Sequence, residues 1–274
     1  MTKLAVAQAN FIVGDPAANC GIIQSLLAEA QTARAEILLL PELANSGYAL
    51  QDVAEARASA EAIPNGPVCQ MLAEWSRPGR MAVCGLCEIA GEQLFNTAAV
   101  FRDGAYLVKY RKAHLFMKET LLFTPGEEEP PVIDFQGHRI GLMICYDWAF
   151  PEMARSLALQ GAQLLLHPSN LVLPYGPQGM LVRSIENRIF TATANRFGLE
   201  RGLQFFGRSQ ITSPRGELLA QAGAEFTGVI TADLDLTQAD DKMLTPYNHI
   251  FNDRKPALYH RLTQSETNPD TPSS

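Results

Sequence analysis

Short, almost continuously apolar runs recur along the chain. Among them are KLAVAQA (3–9), EILLLPE (36–42), MAVCGLCEI (81–89), NTAAVF (96–101), YLVKYRK (106–112), RIGLMICYD (139–147), AQLLLHPS (162–169) and GVITADLD (228–235). A strand with one wet face alternates apolar and polar residues; these runs do not, so both of their faces are to be covered. Helical patterns lie between several of them: Pro16 to Arg34 after an Asp15 cap, Val68 to Trp75, and Glu152 to Leu159, which stops at Gly161. Strands alternating with helices imply an α/β layered protein whose sheets are covered by helices. No Pro- or Gly-rich linker divides the sequence, so we expect a single domain over residues 1–262. The polar tail TQSETNPDTPSS, 263–274, reads as disordered.

With 274 residues, 47% hydrophobic and 19% charged, the chain can bury a real core without metal or disulfide staples. Its formal charge of −7 argues against a nucleic-acid partner, which Lys and Arg would have to neutralise. No segment approaches the roughly 18 apolar residues of a membrane helix, and the N-terminus lacks a signal-like apolar region. We therefore expect a cytoplasmic protein with no membrane or nucleic-acid contact. The 5 cysteines are scattered and odd in number, which disfavours a disulfide framework. Cys84 and Cys87 have CxxC spacing but sit in an apolar run with no second ligand pair, so they read as packing rather than a metal or redox site.

Glu42, Lys112, Cys145 and His167 are polar groups at the ends of four buried strands, where burial is costly unless each has a partner or a chemical role. At the carboxyl ends of strands, α/β folds gather their ligands. A thiol at Cys145, just before a helix starting near Pro151, could face a cleft and feel that helix's N-terminus. It needs a base, for which Glu42, His114 and His167 are candidates. A Cys–His pair oriented by Asp147 is one arrangement. A Glu42 base with Lys112 facing the oxyanion is the other, and it alone gives both buried charges a use.

The stretches LLLPELANSGY (38–48), YRKAHLF (110–116) followed by Glu119 and FTPG, GLMICYDWAFPE (141–152), and RSIENRIF (183–190) with FFGRSQITSPRGELL (205–219) resemble the nitrilase superfamily of carbon-nitrogen hydrolases, in order and over residues 1 to about 260. The resemblance implies a four-layer α-β-β-α sandwich, commonly paired into dimers, and a Glu-Lys-Cys triad that falls on Glu42, Lys112 and Cys145, with a further glutamate at Glu119. It implies a thioester intermediate and no cofactor or metal. The Tyr146 backbone N–H is then free to face the oxyanion beside Lys112, while Tyr48, Trp148 and Asn170 line the pocket by their positions after the motif strands.

Cys145-Tyr146-Asp147 is the form common among amidases and carbamoylases, whereas authentic nitrilases typically show Cys-Trp-Glu. A small aliphatic carboxamide is thus the favoured substrate, with nitriles and N-carbamoyl compounds as alternatives. Ala149 stands where omega-amidases often carry Arg, which weighs against a keto-acid amide. A silent binding subunit is a further alternative, disfavoured by the intact triad. The helices after Cys145 and around Arg183 to Arg188 are the expected homodimer face, where Arg183, Glu186 and Arg188 form an ion-pair network or a solvated surface.

Overall fold

Each uniformly apolar run becomes a strand inside one of two stacked sheets. The computed structural model describes residues 1–264. The elements run β1 (Thr2–Gln8), α1 (Pro16–Thr32), β2 (Ile37–Leu39), α2 (Val53–Ser59), α3 (Pro67–Trp75), β3 (Met81–Ala90), β4 (Gln93–Arg102), β5 (Ala105–Arg111) and α4 (Glu119–Leu122). They continue with β6 (Val132–Phe135), β7 (His138–Leu142), α5 (Pro151–Leu159), β8 (Leu164–Pro168), α6 (Gly176–Asn187), β9 (Phe190–Ala194), β10 (Phe197–Glu200), β11 (Leu203–Phe206), β12 (Gln210–Thr212), β13 (Leu218–Gln221) and β14 (Gly228–Leu234). One six-stranded sheet has the order β14-β1-β2-β3-β4-β5 and the other β13-β12-β9-β8-β7-β6. In each, three neighbouring strands are parallel, β1-β2-β3 and β7-β8-β9, and the flanking strands are antiparallel.

The sheets meet face to face. Leu4, Val6, Leu39 and Val83 of the first pack in one cluster with Ile140, Leu142, Leu164 and Leu166 of the second. Alternate residues of the first sheet, Ala5, Leu38 and Ala82, turn outward onto Ile23 and Leu26 of α1 and Leu72 of α3. With α5 and α6 covering the second sheet, the layers are α-β-β-α, which agrees with the fold expected from sequence.

Local chemistry sets the helix starts. The Asp15 side chain accepts from the Ala18 N–H ahead of Pro16, and buried Glu61 accepts from Val68 N and Cys69 N at 3.2 and 3.0 Å, so α3 is capped by a distant residue. Cys84 and Cys87 are fully buried and fall on opposite faces of β3, in different apolar clusters, because three residues along a strand reverse the side-chain direction. Residues Met1–Asp241 form one compact unit, and the chain from Lys242 forms a second. The latter contains a hairpin of β15 (Met243–Thr245) and β16 (Asn248–His249) followed by short 3-10 turns. From residue 265 on, the tail expected to be disordered lies outside the described residues.

Candidate active site

Four strand ends and the first turn of α4 converge on one buried group of charges. Pro41 stops β2 and Glu42 follows; β5 runs out at Arg111 and Lys112 follows; Glu119 opens α4. Lys112 and Glu42 are 0% and 1% exposed and Glu119 is 3%. The Lys112 Nζ donates to Glu42 Oε1 at 2.8 Å and to both oxygens of Glu119 at 2.8 Å. Asn96, on β4, donates to Glu42 Oε1 at 2.7 Å, and the Tyr48 hydroxyl donates to Glu119 Oε1 at 2.8 Å. Asn170, just past β8, donates from its side-chain amide to the Glu42 backbone carbonyl at 2.8 Å.

Cys145 is reached differently from the expected strand end. β7 stops at Leu142, and the last ladder bond runs from Met143 N to Leu166 O at 3.1 Å. The reason lies in Asp147, whose carboxylate takes the Ile144 N–H at 2.9 Å and so draws the backbone out of the sheet. Cys145 opens a 3-10 turn over Cys145–Ala149 and has φ +39°, left-handed for a residue with a side chain. Its thiol sits in the field of Glu42, Lys112 and Glu119.

The electrostatics follow from burial first. Burial pushes the Cys145 thiol well above its ordinary range, and Glu42 adds to this while Lys112 opposes it, so the resting thiol is protonated. Burial likewise raises Glu119, against the pull of Lys112. For Lys112, burial disfavours the charge, but Glu119 and Glu42 outweigh it and hold the ammonium well above the usual lysine value. One cation thus serves two carboxylates.

Neither histidine considered as a base hydrogen-bonds the thiol. His114 Nδ1 lies 2.7 Å from Asp147 Oδ1 and its ring stacks on Phe150 at 3.7 Å. His167 Nε2 meets the Cys145 carbonyl at 2.8 Å, and burial lowers its pKa to about 4, so it is neutral.

The cleft at Cys145 is walled by Phe116, Tyr146, Trp148, Asn170, Leu171 and Val172, with no charged side chain among its lining residues. The Tyr146 ring tilts against Phe116 at 4.8 Å, and the Trp148 ring meets Tyr175 edge-on at 5.9 Å. Tyr48, bonded to Glu119, lines a cavity of about 250 Å³ together with Leu50, Lys118, Glu119, Leu122 and Arg201. Sequence reasoning passed over Asn96, which joins Glu42 and lies 3.5 Å from Glu119, and the Tyr110 hydroxyl, which donates to Asp147 at 3.0 Å. The signal for Asn96 was there: a polar side chain with an amide to satisfy, opening the otherwise apolar run NTAAVF. Arg183 donates to the Trp148 carbonyl at 3.1 Å and pairs with Glu186 at 2.7 Å, while Arg188 pairs with Asp241 at 3.1 Å.

A buried thiol, lysine and two carboxylates beyond the strand ends of two stacked sheets define a class: residues 3–241 match the carbon-nitrogen hydrolase family, and the chain belongs to it, an enzyme of the nitrilase superfamily. A protein named nitrilase from Pyrococcus abyssi is 40% identical over 262 residues, covering 95% of this chain and 100% of that protein. The omega-amidase of Homo sapiens is 34% identical over 253 residues, covering 86% and 88%. An amidase from Nesterenkonia sp. superposes with a TM-score of 0.78 at 31% identity, over 95% of this chain and 96% of that one. Related structures of that amidase hold butyramide in a cysteine mutant, or the acetamide moiety of fluoroacetamide added covalently at the active site cysteine. Among the described residues no helix is long and apolar enough to cross a membrane.

Proposed function

We propose that the protein hydrolyses a small, uncharged aliphatic carboxamide to the acid and ammonia through a thioester on Cys145. The observation that carries this reading is the Lys112 ammonium held at 2.8 Å between Glu42 and Glu119 in the field of the Cys145 thiol. Glu42 takes the thiol proton as sulfur attacks the carbonyl carbon, and the oxyanion that forms faces Lys112 and the Tyr146 N–H. The C–N bond breaks as Glu42 returns the proton to nitrogen and ammonia leaves. Water, deprotonated by Glu42, adds to the thioester, and the acid departs with the thiol restored. Glu119 orients Lys112 and accepts from the substrate nitrogen.

The uncharged side chains of Phe116, Tyr146, Trp148, Leu171 and Val172 around Cys145 support a small, uncharged acyl group. The Nesterenkonia complexes with short amides support the same class. The relative named nitrilase favours a second reading, nitrile hydrolysis by the same residues. We also propose a homodimer formed through α5 and α6, as argued below. Ammonia release from short primary amides, set against nitriles and ureido compounds, tests the substrate class. Cys145→Ala should keep the fold and lower turnover by several powers of ten; turnover within tenfold of the parent would refute the thioester route.

A further inference from the structure

We propose that His167 is a positioning residue that aims the oxyanion donor, acting on the Tyr146 N–H through the peptide that joins Cys145 to Tyr146. The inference rests on the thioester reading above. His167 is the first residue of β8 beyond the point where the β7–β8 ladder ends, and its ring takes over where the backbone stops: Nε2 lies 2.8 Å from the Cys145 carbonyl oxygen. A carbonyl only accepts, so Nε2 carries the proton and Nδ1 is the acceptor. Thr193 Oγ1 at 3.1 Å and Ser169 Oγ at 3.2 Å are the hydroxyls beside Nδ1, and Ser169 Oγ also lies 3.1 Å from Nε2.

The peptide after Cys145 is trans, the sole cis bond among the described residues being Ile63–Pro64. In a trans peptide the C=O and N–H point in opposite directions. Anchoring the Cys145 oxygen on His167 therefore turns the Tyr146 N–H away from β8, and no backbone acceptor among the described residues takes it. The same bond polarises the peptide and strengthens that N–H as a donor. It also holds Cys145 in its left-handed conformation, which a residue with a side chain adopts only under support from its surroundings. A buried neutral imidazole suits this role, because it donates without bringing a charge beside the thiol.

His167→Leu removes the donor; His167→Gln offers an amide N–H at nearly the same reach. Two rates are read: ammonia release from the short amide the parent turns over fastest, and alkylation of Cys145 by iodoacetamide. Alkylation displaces iodide at a saturated carbon and develops no oxyanion, so it reports the nucleophile alone. We expect His167→Leu to lower kcat by about 10²–10³, the usual loss for one oxyanion donor, with KM within about threefold and alkylation within about threefold of the parent. His167→Gln should recover to within about tenfold of the parent kcat. Parent-like kcat in the Leu variant, an inactive but folded Gln variant, or alkylation falling in step with kcat would each overturn the proposal. If the Leu variant does not fold, as read by circular dichroism, His167→Asn takes its place, since its amide stops short of the carbonyl. Loss of the thioester route itself is seen separately, as activity surviving in Cys145→Ala.

Discussion

The Lys112 ammonium lies 2.8 Å from Glu42 Oε1 and from both oxygens of Glu119, so it is the shared counter-charge of two buried carboxylates. Removing the ammonium leaves two carboxylates facing each other out of water, so Lys112→Met should abolish turnover and cost about 3–5 kcal/mol of stability. The pH dependence has a definite sign. Lys112 has its folded pKa raised above its unfolded one, so its contribution is complete below the unfolded value of about 10.4 and is lost as pH rises toward the folded one. The gap in urea midpoint between parent and Lys112→Met should narrow as pH rises above about 10.5; a gap already shrinking at neutral pH would contradict the pairing. Glu42 separates two effects that one residue combines. Its charge raises the Cys145 thiol, so Glu42→Gln should speed alkylation by iodoacetamide at pH 8 while lowering kcat by at least about a hundredfold for want of a base. Slower alkylation alongside unchanged kcat would rule Glu42 out as the base.

At the scale of elements, β3 sets where Glu42 stands. Gly85 crosses beneath it: a Cβ there would lie 2.4 Å from the Glu42 Cα, and the Gly85 N–H donates to Pro41 O at 3.1 Å. Gly85→Ala should therefore shift the Glu42 backbone, lowering kcat at least about tenfold along with the melting temperature. Parent-like values of both would mean that the backbone yields without moving the carboxylate. Gly85 also marks what the sequence could and could not disclose. The strands were legible because both of their faces are buried, and α1 because Asp15 and Pro16 announce its start. Glu42, Lys112 and Cys145 stood out as polar groups ending apolar runs. Their meeting depends on strands far apart in sequence, and only the resemblance of several motifs in order supplied it. The four-residue α4 carries too few residues for periodicity, and the turn at Cys145 hides inside an apolar run because its cause, the Asp147 carboxylate reaching back to Ile144 N, is a single local side-chain bond that hydrophobic periodicity does not register. The β10–β11 hairpin went unseen for a similar reason: its residues are partly exposed and its turn, Arg201-Gly202, resembles any loop.

Across the whole molecule, exposed large apolar side chains occur on several elements, and one group of them lies on α5, α6 and the edge strand β13. Leu159 on α5, Val182 and Ile185 on α6, and Leu218 and Leu219 on β13 are each more than two-fifths exposed. The turn before β13 packs on the same helix, because a Cβ at Gly216 would lie 2.6 Å from Ile185 Cδ1. Contiguous apolar patches on a covering layer mark association surfaces. Sedimentation velocity should accordingly give about twice the 30.0 kDa chain mass for the parent, and Val182→Asp with Ile185→Asp should shift it to the monomer; a monomeric parent would refute the face. The site should respond too. Arg183, between those two residues on α6, donates to the Trp148 carbonyl in the turn Cys145–Ala149, and Arg155 of α5 donates to the Glu186 carbonyl at 2.7 Å. Helix α6 of the proposed interface is thus bonded to the turn that carries Cys145, and α5 to α6, so the monomeric variant should lose kcat severalfold with Cys145 still open to alkylation, whereas an unchanged kcat would show that the turn holds its geometry without the second copy.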